Sequence, residues 1–166
     1  MNKIKKILSE YVDLNQQISC VTCYDSSFSK ILSDSGIDII LVGDSLGMVI
    51  KGEANTHSVT MQEIIYHSKC VAKNKNSAIL MADMPINSYV DEESAFKNSQ
   101  EILKNNVDIV KLEYKDQHKI IIEKLISNNI PVCAHLGYLP QFFPEAKDIR
   151  IYGKSDNEKN KIFNQA

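Results

Sequence analysis

Five apolar runs in this sequence end on residues that can ionise or hydrogen-bond. "ISCVTCYD" ends on Tyr24 and Asp25, and "IDIILVGD" on Asp44, followed by Ser45. "SAILMADMP" carries Asp83, "VDIVKLEY" carries Lys111 and Glu113, and "IPVCAHLGY" carries His135. A carboxylate at the end of a buried strand is costly unless something pairs with it. Asp44, Asp83 and Glu113, converging with Lys111 and His135, would repel one another strongly without a cation among them. Oxygen donors select a hard ion, Mg2+ or Mn2+, over zinc. Mg2+ keeps several waters and takes few protein carboxylates, which leaves positions for a chelating substrate such as a 2-oxo acid. Lys111 would then hold the substrate carboxylate or stabilise a developing enolate. Each acid could instead cap the helix that follows it, an ordinary task for Asp. Capping explains one strand end more readily than several in succession.

For these residues to meet, the runs must be strands of one sheet. Each run is rich in β-branched or apolar residues, as a strand requires. Between them lie helical patterns. "SSFSKILSDSG" places Phe28, Ile31 and Leu32 at helical spacing and stops at Gly36. "TMQEIIYHSKCVAKN" opens with Thr60 and Glu63 in capping-box spacing. "DEESAFKNSQEILKNN" begins acidic, where the helix dipole favours negative charge, and "QHKIIIEKLISNN" stops at Asn128 and Asn129. At least four βα units and a fifth strand predict a parallel sheet with right-handed crossovers. Two architectures fit: an open doubly wound sheet, or part of a (β/α)8 barrel. In both, ligands bind at the carboxyl edge of the strands. Period-two alternation puts Lys111 and Glu113 on one face and Val110 and Leu112 on the other, toward helices. By the same parity Asp44 travels with Val42 and Ile40, and Asp83 with Met81 and Ile79. The interval from Asp44 to Ser58 reads as a long loop that could be functional. At the start, "MNKIKKILSEYV" fits a short amphipathic helix with Ile4, Ile7, Leu8 and Tyr11 on one face. After "HLGY" come turns with Pro140 and Pro144, then a helix opening at Ser155 or Asp156 with Ile162 and Phe163 on one side.

Composition narrows the class. The chain has 166 residues, enough for a single domain with a real core. A net charge of −2 gives no reason to expect nucleic acid or an anionic membrane as partner. No run approaches the ~20 apolar residues a membrane helix needs, and no signal-peptide pattern is present, so a cytoplasmic location is the default expectation. Cys20 and Cys23 spell C-x-x-C inside a strand, where residues three apart point to opposite faces, so buried structural thiols are expected there. Cys70 and Cys133 read as core thiols. His57 and His67 read as surface or packing residues, His118 as solvent-exposed, and the "KNKNS" run as a solvated turn. No G-x-G-x-x-G fingerprint supports a dinucleotide site.

Taken in order, "TCYDSSFSK", "LVGDSLGM", "VTMQEIIYHSKCVAK", "MADMPINSY", "IVKLEY" and "PVCAHLGYLPQ" resemble the successive motifs of the ketopantoate hydroxymethyltransferase (3-methyl-2-oxobutanoate hydroxymethyltransferase) family. The resemblance implies a (β/α)8 TIM barrel of the phosphoenolpyruvate/pyruvate superfamily, here about five of eight βα units. The implied activity is hydroxymethyl transfer from 5,10-methylenetetrahydrofolate to 3-methyl-2-oxobutanoate in pantothenate and coenzyme A synthesis, with Mg2+. By motif, Asp44 and Asp83 resemble the metal-site acids and Glu113 the third acid. Asp44, Ser45, Asp83 and Lys111 resemble residues that bind the oxo acid, and His135 lines the same pocket. The resemblance also implies a homo-oligomer for the full-length family. Tyr138 and Leu139 depart from the family's usual Leu and Thr after strand five. A closed barrel typically takes roughly 250 residues, so residues 1–166 are expected to be its N-terminal part. The family's proposed base, a glutamate ending strand six, has no counterpart here, and little or no turnover is expected of the chain alone. An isocitrate-lyase- or phosphoenolpyruvate-mutase-like lyase shares the Mg2+–oxo acid logic but needs a cysteine loop that is not seen. A non-catalytic chain binding metal or 2-oxo acid is the other alternative; a flavodoxin-like domain is more remote.

Overall fold

The computed structural model describes residues 16–143 and 150–166, with residues 4, 9–11, 13 and 14 of the N-terminal stretch. Ile7, Leu8 and Pro144 lie outside the described residues. The strands are β1 (Cys20–Thr22), β2 (Ile39–Val42), β3 (Ile79–Asp83), β4 (Ile109–Glu113) and β5 (Val132–His135). Between and after them lie α1 (Ser26–Asp34), a one-turn α2 (Leu46–Val49), α3 (Met61–Ala72), α4 (Glu92–Leu103), α5 (Lys119–Ser127) and α6 (Asp156–Gln165). A 3-10 turn at Asp116–His118 leads into α5. The expected loop from Asp44 to Ser58 thus holds one helical turn.

All strand pairs are parallel and the spatial order is the sequence order, β1-β2-β3-β4-β5. That order decides between the two architectures. A doubly wound sheet reverses direction at a switch point, whereas strands added one after another on the same side are the pattern of a (β/α)8 barrel.

Both faces of the sheet are covered by apolar groups. On the helix side Ile40, Val42, Leu80, Ala82, Val110 and Leu112 pack with Ile64 and Val71 of α3, Ala95 and Ile102 of α4, and Ile121 and Leu125 of α5. On the inner side Ile39, Ile79, Met81 and Ile109 form a smaller cluster with Leu41, Cys133 and Ile4. The paired registers Ile39↔Ile79 and Met81↔Ile109 stack these inner residues in layers. The next layers up are polar: Asp83↔Lys111, then Glu113↔His135.

Local chemistry ends the helices where the sequence predicts. Asp25 accepts the amides of Ser27 and Phe28 at 2.8 and 2.9 Å and caps α1. Asp91 caps α4 through Ser94, and Ser155 caps α6. Asn106 and Asn129, just beyond α4 and α5, take left-handed φ of 58° and 61°, a conformation Asn tolerates. Lys75, expected in a solvated turn, instead pairs with the Asp108 carboxylate, which also accepts the amide of Leu80 at 2.8 Å.

The capping box of α3 is complete. Thr60 N–H donates to Glu63 Oε2 at 2.7 Å, Glu63 N–H to Thr60 Oγ1 at 3.3 Å, and Lys51 Nζ lies 2.9 Å from Glu63 Oε1. Lys51 and Thr60 together hold the Glu63 carboxyl down at about 2. This lowered value stabilises the fold at neutral pH, and the contribution is lost as pH falls from 4.5 through about 2. Thr60→Ala is expected to cost about 1 kcal/mol at pH 7. Urea denaturation should show the loss at pH 7 and a smaller one at pH 2; equal losses at both would contradict the charge's part in the box.

Candidate functional site

Strand β2 stops at Val42, and the chain turns at once. Gly43 O accepts the amide of Leu46 at 3.1 Å, and Asp44 O that of Gly47 at 3.0 Å. The turn breaks the alternation extrapolated from the strand. Ile40 and Val42 face the helices, but Asp44, expected to share their face, does not follow them. It swings to the inner side, where its N–H donates to Asp83 Oδ2 at 3.2 Å. Gly43 is closely surrounded: a Cβ there would lie 2.9 Å from Ser45 Oγ and 3.3 Å from Asp83 Oδ2, so both side chains would have to shift. Gly47 is equally confined, with Val59 Cγ2 2.9 Å from a Cβ position.

The capping alternative separates the acids. Asp25 is a helix cap and nothing more is required to explain it. Asp44 caps no helix; the residue before α2 is Ser45, which makes no side-chain capping bond. Asp83 and Glu113 end their strands with their side chains on the inner face. All three carboxyls are buried, at 7%, 4% and 3% exposure.

What holds them is mostly protein. Lys111 Nζ forms an ion pair with Asp83 Oδ1. The Gln141 side-chain amide donates to Asp44 Oδ2 at 2.8 Å and to Met84 O at 3.0 Å. The Gln141 backbone N–H donates to Glu113 Oε2 at 3.1 Å. Tyr89 OH in turn donates to Gln141 Oε1. Ser45 Oγ shares a hydrogen bond of 2.8 Å with Tyr24 OH. His135 Nδ1 lies 3.8 Å from Glu113 Oε1, too far for a hydrogen bond, and is buried without another partner.

These donors do not balance the charge. Burial, then the neighbouring charge of Asp83, pushes Asp44 up to about 6, against the opposing pull of Gln141 and Lys111. Burial and the charge of Asp44 push Glu113 up to about 8. Burial alone would lower Lys111, but the charges of Asp83, Asp44 and Glu113 outweigh it and raise the ammonium. His135 is lowered by burial and by Lys111, which favours a neutral imidazole. The site is short of positive charge, and a divalent cation is the kind of ligand that would supply it. Among the described residues no three His, Cys, Asp or Glu side chains already surround one point as metal ligands. The adjacent pair Asp44 and Asp83 could hold one, since Mg2+ commonly takes one or two carboxylates and completes its shell with water and substrate. Glu113 lies close enough to feel the charge of Asp44, and the Gln141 residue is bonded to both.

The family model described as ketopantoate hydroxymethyltransferase matches residues 3–166. The chain belongs to that family. It is similar to the 3-methyl-2-oxobutanoate hydroxymethyltransferase of Marinobacter nauticus, 39% identical over 159 residues, covering 96% of this chain and 60% of the relative. The enzyme of that name from Nitrosospira multiformis is 38% identical over 167 residues, covering all of this chain and 64% of the relative. The chain thus spans less than two thirds of the length of these relatives. Among solved structures, 2,3-dimethylmalate lyase, a PEP mutase/isocitrate lyase superfamily member, superposes with a TM-score of 0.59 at 13% identity, covering 78% of this chain and 51% of the lyase. Phosphonopyruvate hydrolase in complex with oxalate and Mg2+ gives 0.61 at 12% identity, covering 78% and 50%. At that identity the likeness concerns the fold: five consecutive βα units of the (β/α)8 type.

Within the hydroxymethyltransferase motifs, the structure brings Asp44, Ser45, Asp83, Lys111, Glu113 and His135 to one rim. Tyr24, named at the end of its strand, now partners Ser45; Gln141 and Tyr89 were not singled out from the sequence, although each lies within a motif quoted above. A buried amide that bridges two acids has no local spacing to betray it. His118 is a correction: it is 6% exposed, not solvent-facing, because its Nδ1 sits 3.0 Å from Glu113 O and its ring packs against Tyr89 and Phe142. Cys20 is another; it is exposed on the edge strand, while Cys23 is buried on the opposite face. Cys70 and Cys133 are half-buried rather than fully in the core.

Asp44 and Glu113 both have folded-state values raised above the ordinary 3.8 and 4.5. The unfolded chain therefore releases these protons at lower pH than the folded one does. Without metal, stability is expected to fall as pH rises from 3.8 to about 8. Glu113→Gln should flatten the upper part of that slope, as read from urea midpoints of metal-stripped protein across the range. A wild-type profile that rises over the same interval would contradict the buried-charge account.

Proposed function

We propose that this chain carries the metal- and oxo-acid-binding part of a 3-methyl-2-oxobutanoate hydroxymethyltransferase, with residues 1–166 forming the N-terminal part of one (β/α)8 barrel. The observation that carries the reading is the meeting of uncapped Asp44 with Asp83, and of Asp83 with Lys111, at the carboxyl end of the sheet. Family membership supports hydroxymethyl transfer to 3-methyl-2-oxobutanoate as the reaction, and 5,10-methylenetetrahydrofolate is the donor this reading expects.

The residues present fit Mg2+. Asp44 and Asp83 would hold it, with Glu113 as the third acid of the site. When bound, the ion would polarise the oxo acid's carbonyl and so acidify the neighbouring carbon. Lys111, desolvated and fixed by Asp83, places positive charge where the enolate oxygen or the substrate carboxylate gathers negative charge. Ser45, its hydroxyl held by Tyr24, offers a polar contact to the oxo acid. Neutral His135 lines the same rim with an unused nitrogen. The lyase alternative rests on the shared fold alone, whereas the sequence match is to hydroxymethyltransferases. A folate co-substrate, a homo-oligomer and a cytoplasmic location belong to the same proposal; no helix among the described residues is long and apolar enough to cross a membrane.

Titration calorimetry tests it directly. The chain is expected to bind 3-methyl-2-oxobutanoate only with Mg2+ present, and Asp44→Asn and Asp83→Asn should each weaken that binding at least tenfold, about 1.4 kcal/mol. Equal binding in EDTA would sink the metal-dependent reading. Turnover measured on the same samples separates an active enzyme from a chain that binds without reacting.

A further inference from the structure

Gln141 lies 3% exposed beneath the rim, and both the nitrogen and the oxygen of its side-chain amide are engaged in one orientation. Its amide nitrogen donates to Asp44 Oδ2 and Met84 O, and its oxygen accepts from Tyr89 OH. Turned over, the amide would set its oxygen against a carboxylate and a carbonyl. It is therefore locked. Tyr89 is itself fixed: it is 4% exposed, with the His118 ring edge-on at 5.3 Å. His118 is tied to the end of β4 through Glu113 O. A chain of contacts thus runs from His118 to Tyr89 to Gln141 to Asp44, while the Gln141 backbone reaches Glu113 from the same residue.

The bonds leave specific atoms over. Gln141 occupies Oδ2 of Asp44 and, through its main chain, Oε2 of Glu113. Gln141 does not take the other two oxygens: the Thr56 side chain also reaches the Asp44 carboxyl, and Glu113 Oε1 faces the buried nitrogen of His135 at 3.8 Å. We infer that Gln141 is a positioning residue that selects which oxygen of Asp44 and which of Glu113 face the bound cation and oxo acid, with Tyr89 fixing the orientation of its amide. This rests on the metal-binding reading above. Groups that orient a ligating carboxylate typically change metal affinity by roughly 10- to 100-fold when removed.

The side-chain half of the device can be removed without the main-chain half. Gln141→Leu keeps the N–H to Glu113 and deletes the amide; Tyr89→Phe keeps the amide and deletes its anchor. Mg2+ binding is measured by titration calorimetry, Mn2+ binding by electron paramagnetic resonance, and thermal unfolding with and without Mg2+. Gln141→Leu is expected to weaken Mg2+ at least tenfold, to change the Mn2+ line shape, and to shrink the Mg2+-induced rise in Tm. Tyr89→Phe is expected to do the same to a smaller degree. If Gln141→Leu does not fold, Tyr89→Phe decides the matter by the same readouts. A folded variant that binds Mg2+ with wild-type affinity and an unchanged Mn2+ spectrum overturns the inference alone. A wild-type chain that takes neither ion overturns the metal reading, and this inference with it.

Discussion

Asp83 and Lys111 are direct partners across β3 and β4, and the register that makes them so holds the rim together. A slip of one residue would send one of the two to the helix side and leave the other buried without a counter-charge. The pair does more than neutralise itself. Because Lys111 takes one oxygen of Asp83, the other is directed at the Asp44 N–H, and that bond draws the turn after β2 inward. Gly43 sits where this turn passes close to Asp83, and a side chain there would press on Asp83 and Ser45. One cross-strand ion pair therefore fixes the positions of three strands' ends.

Stability comes from elsewhere. Buried ion pairs contribute little net free energy, since desolvation offsets most of the attraction. The helix-side core is mainly apolar, interrupted by the buried Ser29, Ser68 and Ser99, and each fully buried Ile, Leu or Val there contributes roughly 1.5–3 kcal/mol of transfer free energy. The inner face divides by height: isoleucines and Met81 below, acids and Lys111 above. The lower layers are a structural plug; the upper ones tolerate unfavourable charge because the outer core supplies the free energy to hold them.

Much of this was legible in the sequence. The alternation of strands and helices, the caps at Thr60 and Ser155, and the inner placement of Asp83, Lys111 and Glu113 all follow from periodicities of two and 3.6. Barrel or open sheet could not be decided from the residues alone, because both begin with the same βα units and differ only in which side each new strand joins. The parity of Asp44 failed for a definable reason: alternation holds only while a strand lasts, and β2 ends two residues before it. His118 and Gln141 escaped because burial of a polar side chain depends on partners far along the chain. Gln141 and Asp44 are 97 residues apart.

Strand order that follows chain order has a consequence for how the molecule is born. Each strand pairs with the one made just before it, so the sheet can extend at one edge as synthesis proceeds. Asp44 and Asp83 meet across β2 and β3, Lys111 joins with β4, and the Gln141 donor to Asp44 lies beyond β5. The rim is thus assembled strand by strand, and the donor that reaches Asp44 comes from the far end of the sheet.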